Sequence, residues 1–418
     1  MRVFDRELSL HKSYTDGTHR ACDPAETVSR YRPRAAEMGI TRLANITGLD
    51  VIGLPVWVAV RPNSRGLSTS QGKGFDAASA RASAMMEAIE GWHGEHVDRP
   101  LRHDSYHALG SRAPVIDVTR LNTYADVVLR GDTPLLWIEG YDLMQDRPTW
   151  VPFDCASTNY VWPGRGGTQA AFVMSSNGLA SGNHLLEAIA HGLAEIIERD
   201  AVTLAEVELR GGAPSRRVDA RTIADPRCAE ALELLDRAGV LVSLHDITSD
   251  AGVPTCACTI VDGVERARWR TLPAFSGYGC HPSPAIALRR AITEAVQSRL
   301  TLISGSRDDI SAADYQRGGN PDDLRRHREL IESTPPAIEL ARIPSLATAT
   351  FEGDIAAMLD GLRRVGVDSA VVVDLTRPEL GIPVVKLVVP GVEAPSALLA
   401  GRPIRPGQRA RAARSPRR

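Results

Sequence analysis

Residues Ser70–Gly91 read SQGKGFDAASARASAMMEAIEG. Two glycines flank Lys73, and the alanine-rich run behind them, from about Asp76 to Val97, has helical period with no Gly or Pro in its first four turns. Glu87 and Glu90 stand three residues apart in that run and so share one helix face. The preceding DVIGLPVWVAVRP reads as a strand. Strand, glycine loop and carboxylate-bearing helix thus follow one another. Such a loop offers backbone amides to an anion, whereas paired carboxylates repel one, and the fold must reconcile the two.

The same arrangement recurs. ARASAMMEAIEGW from Ala80, AIAHGLAEIIERD from Ala188 and ALRRAITEAVQSR from Ala287 align without a gap. Each places glutamate seven residues after the alanine (Glu87, Glu195, Glu294) and a second polar residue three further on (Glu90, Glu198, Gln297). Each follows a glycine-bearing segment: SQGKG, SSNGLASGN or SGYGC. One such helix reads equally as a solvated amphipathic helix; three in register point to a repeat whose polar pairs converge. Converging carboxylates from Glu87, Glu90, Glu195, Glu198 and Glu294 cannot all stay ionised at short range without a cation among them. Hard oxygen ligands with neither imidazole nor thiolate favour Mg2+, which bridges carboxylates to phosphate oxygens. The metal would separate the acids from the phosphates, leaving Lys73, Arg199 and the loop amides to meet the phosphate oxygens directly.

Working outward, PLLWIEGYDLMQDRPTWVPF reads as two strands and a turn, and a long helix is expected from about His184 to Glu208. CAEALELLDRAG reads as a helix, VLVSLHDI and VPTCACTIVD as strands, and residues near 305–322 as a polar linker. The final third reads helix, strand, strand. The fold class is therefore α+β, built of α/β layers, with three related glycine-loop/helix units around one site.

The chain has 418 residues, 43% of them hydrophobic, and a formal charge of −2. Residues 402–418 hold seven arginines and no acid, which leaves 42 basic against 51 acidic residues elsewhere. A mildly acidic body argues against nucleic acid as a partner. Six cysteines with no CxxC pair indicate neither a disulfide framework nor a zinc site and fit a reducing cytoplasm. The N-terminus MRVFDRELSLHKSY lacks the apolar block of a signal peptide, and no run approaches the roughly 18 apolar residues of a membrane span. Cys256 and Cys258, two apart in one strand, face the same side; packing is the more ordinary use of such thiols, sulfur carriage the less ordinary.

The first two glutamate stretches, together with the ending DLTRPELGIPVVKLVVPG, resemble the signature segments of the YcaO superfamily, and the similarity runs from about Lys12 to Gly391. The N-terminal HKSYTDGTHRACDPAET resembles the TfuA-associated branch, implicated in peptide thioamide formation. The resemblance implies a YcaO fold around an ATP site and the cofactors ATP and Mg2+. It assigns Glu87, Glu90, Glu195 and Glu198 to magnesium, and Ser70, Lys73, Glu187 and Arg199 to the nucleotide, with Glu187 at ribose or base. Lys12 and Arg20 are phosphate contacts of the branch; Arg199, Gln297 and Arg299 are catalytic candidates. It further implies a precursor peptide or protein as substrate, a TfuA-like partner protein and a homodimer. Residues 1–60 then form an N-terminal segment integral to the domain, 61–395 the ATP-binding domain and 396–418 a disordered, dispensable arginine-rich tail. Three functions follow: ATP-dependent thioamide synthesis, azoline-forming cyclodehydration, or a nucleotide-binding partner without chemistry of its own.

Overall fold

A Cβ on Gly72 would overlap the Ala84 nitrogen and the Ala80 carbonyl, and one on Gly279 would overlap the Ala287 carbonyl and crowd the Ala291 nitrogen at 2.8 Å. Both glycines stand eight residues before the aligned alanine of their repeat. They are glycine because a strand there lies flush on the small-residue face of the helix that follows. Much of what reads as glycine loop is therefore strand.

The computed structural model describes residues 1–161, 171–264, 272–394 and 403–414. A hairpin of β1 (Arg2–Val3) and β2 (Arg6–Glu7) and helix α1 (Pro24–Tyr31) lead into the first unit. That unit is an antiparallel sheet of β3 (Arg42–Asn45), β4 (Val56–Val60) and β5 (Thr69–Lys73), backed by α2 (Ala77–Glu95). Asp76 caps α2 by accepting from Ser79 N at 2.8 Å. The middle unit runs β6 (Leu101–Ser105), α3 (Tyr106–Gly110), β7 (Pro134–Asp142), β8 (Arg147–Pro152), β9 (Leu179–Ser181) and α4 (Leu185–Arg210). The third comprises α5 (Pro226–Arg237), β10 (Val240–Asp246), β11 (Thr255–Asp262), β12 (Phe275–Cys280) and α6 (Pro284–Ser304). Beyond α7 (Ala312–Gly318), α8 (Pro321–Ser333) and α9 (Phe351–Arg364), strands β13 (Val371–Asp374) and β14 (Val384–Val388) return to the middle unit. Its sheet has the order β6-β7-β13-β14-β9, with β8 on β7.

The valine runs of β13 and β14 are buried on both faces, as alternation requires of a covered sheet. Val371, Val373 and Val384 meet Met85 and Ile89 of α2; Val372, Val385 and Leu387 meet Ile189 and Leu193 of α4 and Ile355 and Leu359 of α9. A further core surrounds α6, where Ala291 and Ile292 pack with Cys258 and Ile260.

Strands β5, β9 and β12 are each the edge of their sheet, so each carries backbone groups in need of partners. The repeat helices supply them in cyclic order. Glu90 of the first unit accepts from Ser181 N in β9 at 2.8 Å, Glu198 of the second accepts from Cys280 N in β12 at 3.0 Å, and Gln297 of the third donates to Gln71 O in β5 at 2.8 Å. The three units thus close a ring. The last link ends on a carbonyl, which needs a donor, and this accounts for an amide where the other two helices carry a carboxylate.

Two expectations are corrected. The polar linker near 305–322 holds α7 and the start of α8, formed on local signals: a capping box of Ser311 with Asp314, and Asn320 followed by Pro321. The tail expected to be disordered over 396–418 is docked where it is described, while 396–402 and 415–418 lie outside the described residues. Ile404 bridges Tyr124, Arg409 pairs with Asp200 at 3.0 Å, and Glu393 accepts from Gly407 N at 2.8 Å and Ala410 N at 2.9 Å ahead of and within α10 (Gln408–Arg414). The partners that hold it are buried carboxylates outside the tail, Glu393 just ahead of it and Asp200 in α4, which tail composition does not reveal.

Candidate active site

The ring of units surrounds a cleft of about 580 Å³. Ser70 and Lys73 reach it from β5, and Glu87 and Glu90 from α2. From α4 come Glu187, Glu195, Glu198 and Arg199; from α6, Glu294 and Gln297; and Arg20 joins from the N-terminal segment. Two expected site residues are elsewhere, and this corrects their placement. Arg299 is fully buried, its guanidinium 2.6 Å from Asp50 and 2.9 Å from Asp262. It lies two residues past Gln297, which on a helix is a turn of about 200°, so it faces the core instead of the cleft. Lys12 stands 2.6 Å from Asp354 and donates to Thr348 O at 2.7 Å. Neither lines the cleft.

The glutamates share a design. A neighbouring backbone N–H holds one oxygen: Ser181 N for Glu90, Gly178 N for Glu195 at 3.2 Å, Cys280 N for Glu198 and Asn183 N for Glu187 at 2.7 Å. Glu87 is held in the same way by the Gln71 backbone. One anchored oxygen fixes the carboxylate and leaves its second oxygen for a ligand. Glu294 differs, because Lys73 lies 2.8 Å from one of its oxygens and Arg199 3.9 Å from the other. Arg199 also stands 3.2 Å from Glu198.

Electrostatics separates the repeats accordingly. Burial raises Glu87 to about 7 and Glu90 to about 8, against the opposing pull of Lys73 on Glu87 and of the Ser181 hydrogen bond on Glu90. Burial also raises Glu195 and Glu198. Glu87 is exposed to the solvent of the cleft, and the protein crowded around that cleft limits its hydration. Burial works the same way on Glu294, but Lys73 and Arg199 outweigh it and hold the group below the usual range. The first two repeats therefore keep carboxylates short of positive charge, while the third is neutralised by the protein itself.

This charge deficit fits Mg2+. Among the described residues, the group with three metal-type ligand atoms within 4.8 Å of one another is His19, His281 and Asp354, whose carboxylate Lys12 already occupies. The glutamates form no such closed cage, which suits an ion that takes one or two carboxylates and completes its shell with water and substrate phosphate. Buried polar atoms without partners also gather here: Arg20 Nε, Asn183 Oδ1 and Arg290 Nε belong to residues lining the cleft. The two arginine nitrogens are donors that fit anionic oxygens, and the Asn183 oxygen is an acceptor that fits a hydroxyl or amino group of the ligand.

The raised carboxylates set a pH dependence. Between their ordinary value of 4.5 and their folded values of about 7 and 8, Glu87 and Glu90 bind more protons folded than unfolded. Their contribution to metal-free stability is fully present below the ordinary value and is lost as the pH rises through 7 and 8. Mg2+ needs the ionised form. Thermal melts in EDTA and in Mg2+ are therefore expected to diverge as the pH is raised across this range; an equal Mg2+ effect at both ends would remove these carboxylates from the metal site.

Sequence reasoning missed Arg290, which lines the cleft, donates to His191 Nε2 at 3.2 Å and precedes Glu294 by one helical turn. A signal existed. In the aligned repeats the column four residues before the first glutamate holds Ser83, His191 and Arg290, and all three line the cleft. Cys256 and Cys258, by contrast, are wholly buried with thiols pushed far up by that burial, so they are packing residues and not sulfur carriers.

The chain is similar to several known proteins. A family model described as YcaO cyclodehydratase, ATP- and Mg2+-binding, matches residues 71–393. A protein of the tfuA 3′ region of Rhizobium leguminosarum bv. trifolii is 36% identical over 399 residues, covering 95% of this chain and 93% of its own length. Among solved structures, YcaO from Methanopyrus kandleri bound with AMPPCP and Mg2+ superposes with a TM-score of 0.73 at 22% identity, covering 95% of this chain and 98% of that one. A heterocyclase in complex with substrate and cofactor gives a TM-score of 0.77 at 22% identity over 93% of this chain, which spans 54% of the heterocyclase. At that identity the two structures establish the fold. No helix among the described residues is long and apolar enough to cross a membrane.

Proposed function

This chain belongs to the YcaO family, and we propose that it uses ATP and Mg2+ to phosphorylate a backbone amide oxygen of a peptide so that sulfur can replace it, leaving a thioamide. The observation that carries this reading is the set of under-compensated carboxylates of the first two repeats, gathered with Arg199 in one cleft. A carrier or scaffold has no use for acids kept at such electrostatic cost. Glu87, Glu90, Glu195 and Glu198 would hold Mg2+, which when bound offsets charge on the transferring phosphoryl group. Arg20, Ser70, Lys73 and Arg290 would bind the phosphates, and Glu187 the ribose or base. Arg199, tethered between Glu198 and Glu294, would meet negative charge that develops at the γ-phosphate.

A planar amide resists substitution because oxide is a poor leaving group. In the proposed sequence a hydrosulfide-level sulfur adds to the amide carbon, and the resulting oxyanion attacks the γ-phosphorus with departure of ADP. Collapse of the adduct then breaks the C–O bond, expels inorganic phosphate and leaves C=S. Sulfur, in preference to a side-chain nucleophile, is supported by the similarity over nearly the full chain to the protein of the tfuA 3′ region, and a TfuA-like protein is the partner this implies.

Reconstitution with peptide, ATP, Mg2+ and a sulfide source is expected to yield peptide heavier by about 16 Da, sulfur having replaced oxygen through the activated phosphate ester. A product lighter by about 18 Da would instead mean attack by a side chain of the peptide and ring closure, which is azoline formation. ATP loss with no change in peptide mass would refute both.

A further inference from the structure

A second cavity, of about 430 Å³, lies apart from the glutamates, between residues 118–131, the start of β7 and residues 405–411. Leu121, Val127, Leu129, Leu135 and Val392 give it apolar walls. Among the described residues its acid–base lining is of one sign: Arg120, Arg130, Arg405 and Arg411 line it, and no Asp or Glu does. Arg120 has Asp368 at 2.9 Å. Arg405 donates to Val127 O at 3.1 Å and Arg411 to Pro406 O at 2.6 Å, both main-chain carbonyls. Among the described residues no carboxylate pairs with Arg130, Arg405 or Arg411.

We propose that this cavity docks an acidic segment of the peptide substrate, with an apolar side chain against the hydrophobic walls and carboxylates on the guanidinium groups of Arg130, Arg405 and Arg411. The proposal rests on the reading of the chain as a peptide-modifying enzyme. Guanidinium groups recognise carboxylates in bidentate fashion, and like charges held around an apolar pocket are relieved by such a ligand. The position is also consequential. Arg405 and Arg411 face the cavity while Arg409, on the same segment, grips Asp200, the residue next to Arg199. A peptide held there would lean on the element that buttresses the catalytic turn of α4.

The test is fluorescence anisotropy with a labelled peptide of alternating glutamate and leucine, in the absence of ATP, and with a counterpart carrying lysine for glutamate. The acidic peptide is expected to bind in a salt-sensitive manner and the lysine peptide not to bind. The exposed double variant Arg130→Glu/Arg411→Glu is expected to weaken binding by about tenfold or more while melting like the wild type. Equal binding of the two peptides, unchanged affinity in a folded variant, or full displacement by millimolar inorganic phosphate would overturn the proposal. Because no ATP is present, such a failure leaves the amide-activation reading standing. Conversely, intact docking with no peptide-dependent ATP consumption refutes that reading alone.

Discussion

Glu198→Gln is expected to lower peptide-dependent ATP turnover by about 10³-fold, the scale seen when a charged group that positions phosphoryl transfer is lost. The fold should survive. Glu198 is 2% exposed, and its backbone anchor, Cys280 N, is satisfied equally by the carbonyl of a glutamine. What changes is the second oxygen, 3.2 Å from Arg199: a neutral amide there removes the charge offered to Mg2+ and can set a donor against the guanidinium. Burial raises the Glu198 carboxylate above its ordinary value, so its ionised form is disfavoured in the empty cleft. The ligand-free variant should therefore melt no lower than the wild type, while the upward shift produced by Mg·ATP disappears. A wild-type Mg·ATP shift in Glu198→Gln would take this residue out of the site.

Arg409→Met is expected to destabilise the protein by about 3–5 kcal/mol, the range for stripping one partner from a buried ion pair. Asp200 is 2% exposed, and it also accepts from the backbone N–H of Glu393 at 2.9 Å. Without Arg409 that carboxylate is left buried and largely uncompensated beside Arg199. Adding Asp200→Asn should restore much of the loss, because the stranded charge goes with it. Melting temperatures of the two single variants and the double variant decide the matter; a fully additive loss would mean that the tail is held by something else. A truncation after Gly401, which tail composition alone presents as harmless, should behave like Arg409→Met.

The helices and their carboxylates were legible in the sequence because an α-helix converts fixed spacing into a shared face. Ala80, Ala188 and Ala287 set a register in which every aligned glutamate reaches the cleft. Arg299 was misread for the same reason: it stands near Gln297 in sequence, but two residues on a helix cross to the opposite side. Lys12 was misplaced because its partner, Asp354, lies in α9, and nothing local announces a pairing across the whole chain. The ring in which Glu90, Glu198 and Gln297 each bond the next unit's edge strand is likewise a property of three sheets meeting, which no single segment encodes. The docked tail belongs with these cases, since Asp200 and Glu393 hold it from outside its own stretch.

The proposed chemistry turns on which oxygen receives the γ-phosphoryl group. A substrate peptide labelled with the heavy oxygen isotope at its backbone carbonyls, incubated with the protein, ATP, Mg2+ and a sulfide source, reports this directly in the inorganic phosphate released. Phosphorylation of the amide oxygen predicts phosphate that carries one label for each thioamide formed, because collapse of the adduct breaks the C–O bond and keeps the labelled oxygen on phosphorus. Unlabelled phosphate alongside a peptide that retains its full label would mean that ATP is spent on water, and would contradict amide activation at this cleft.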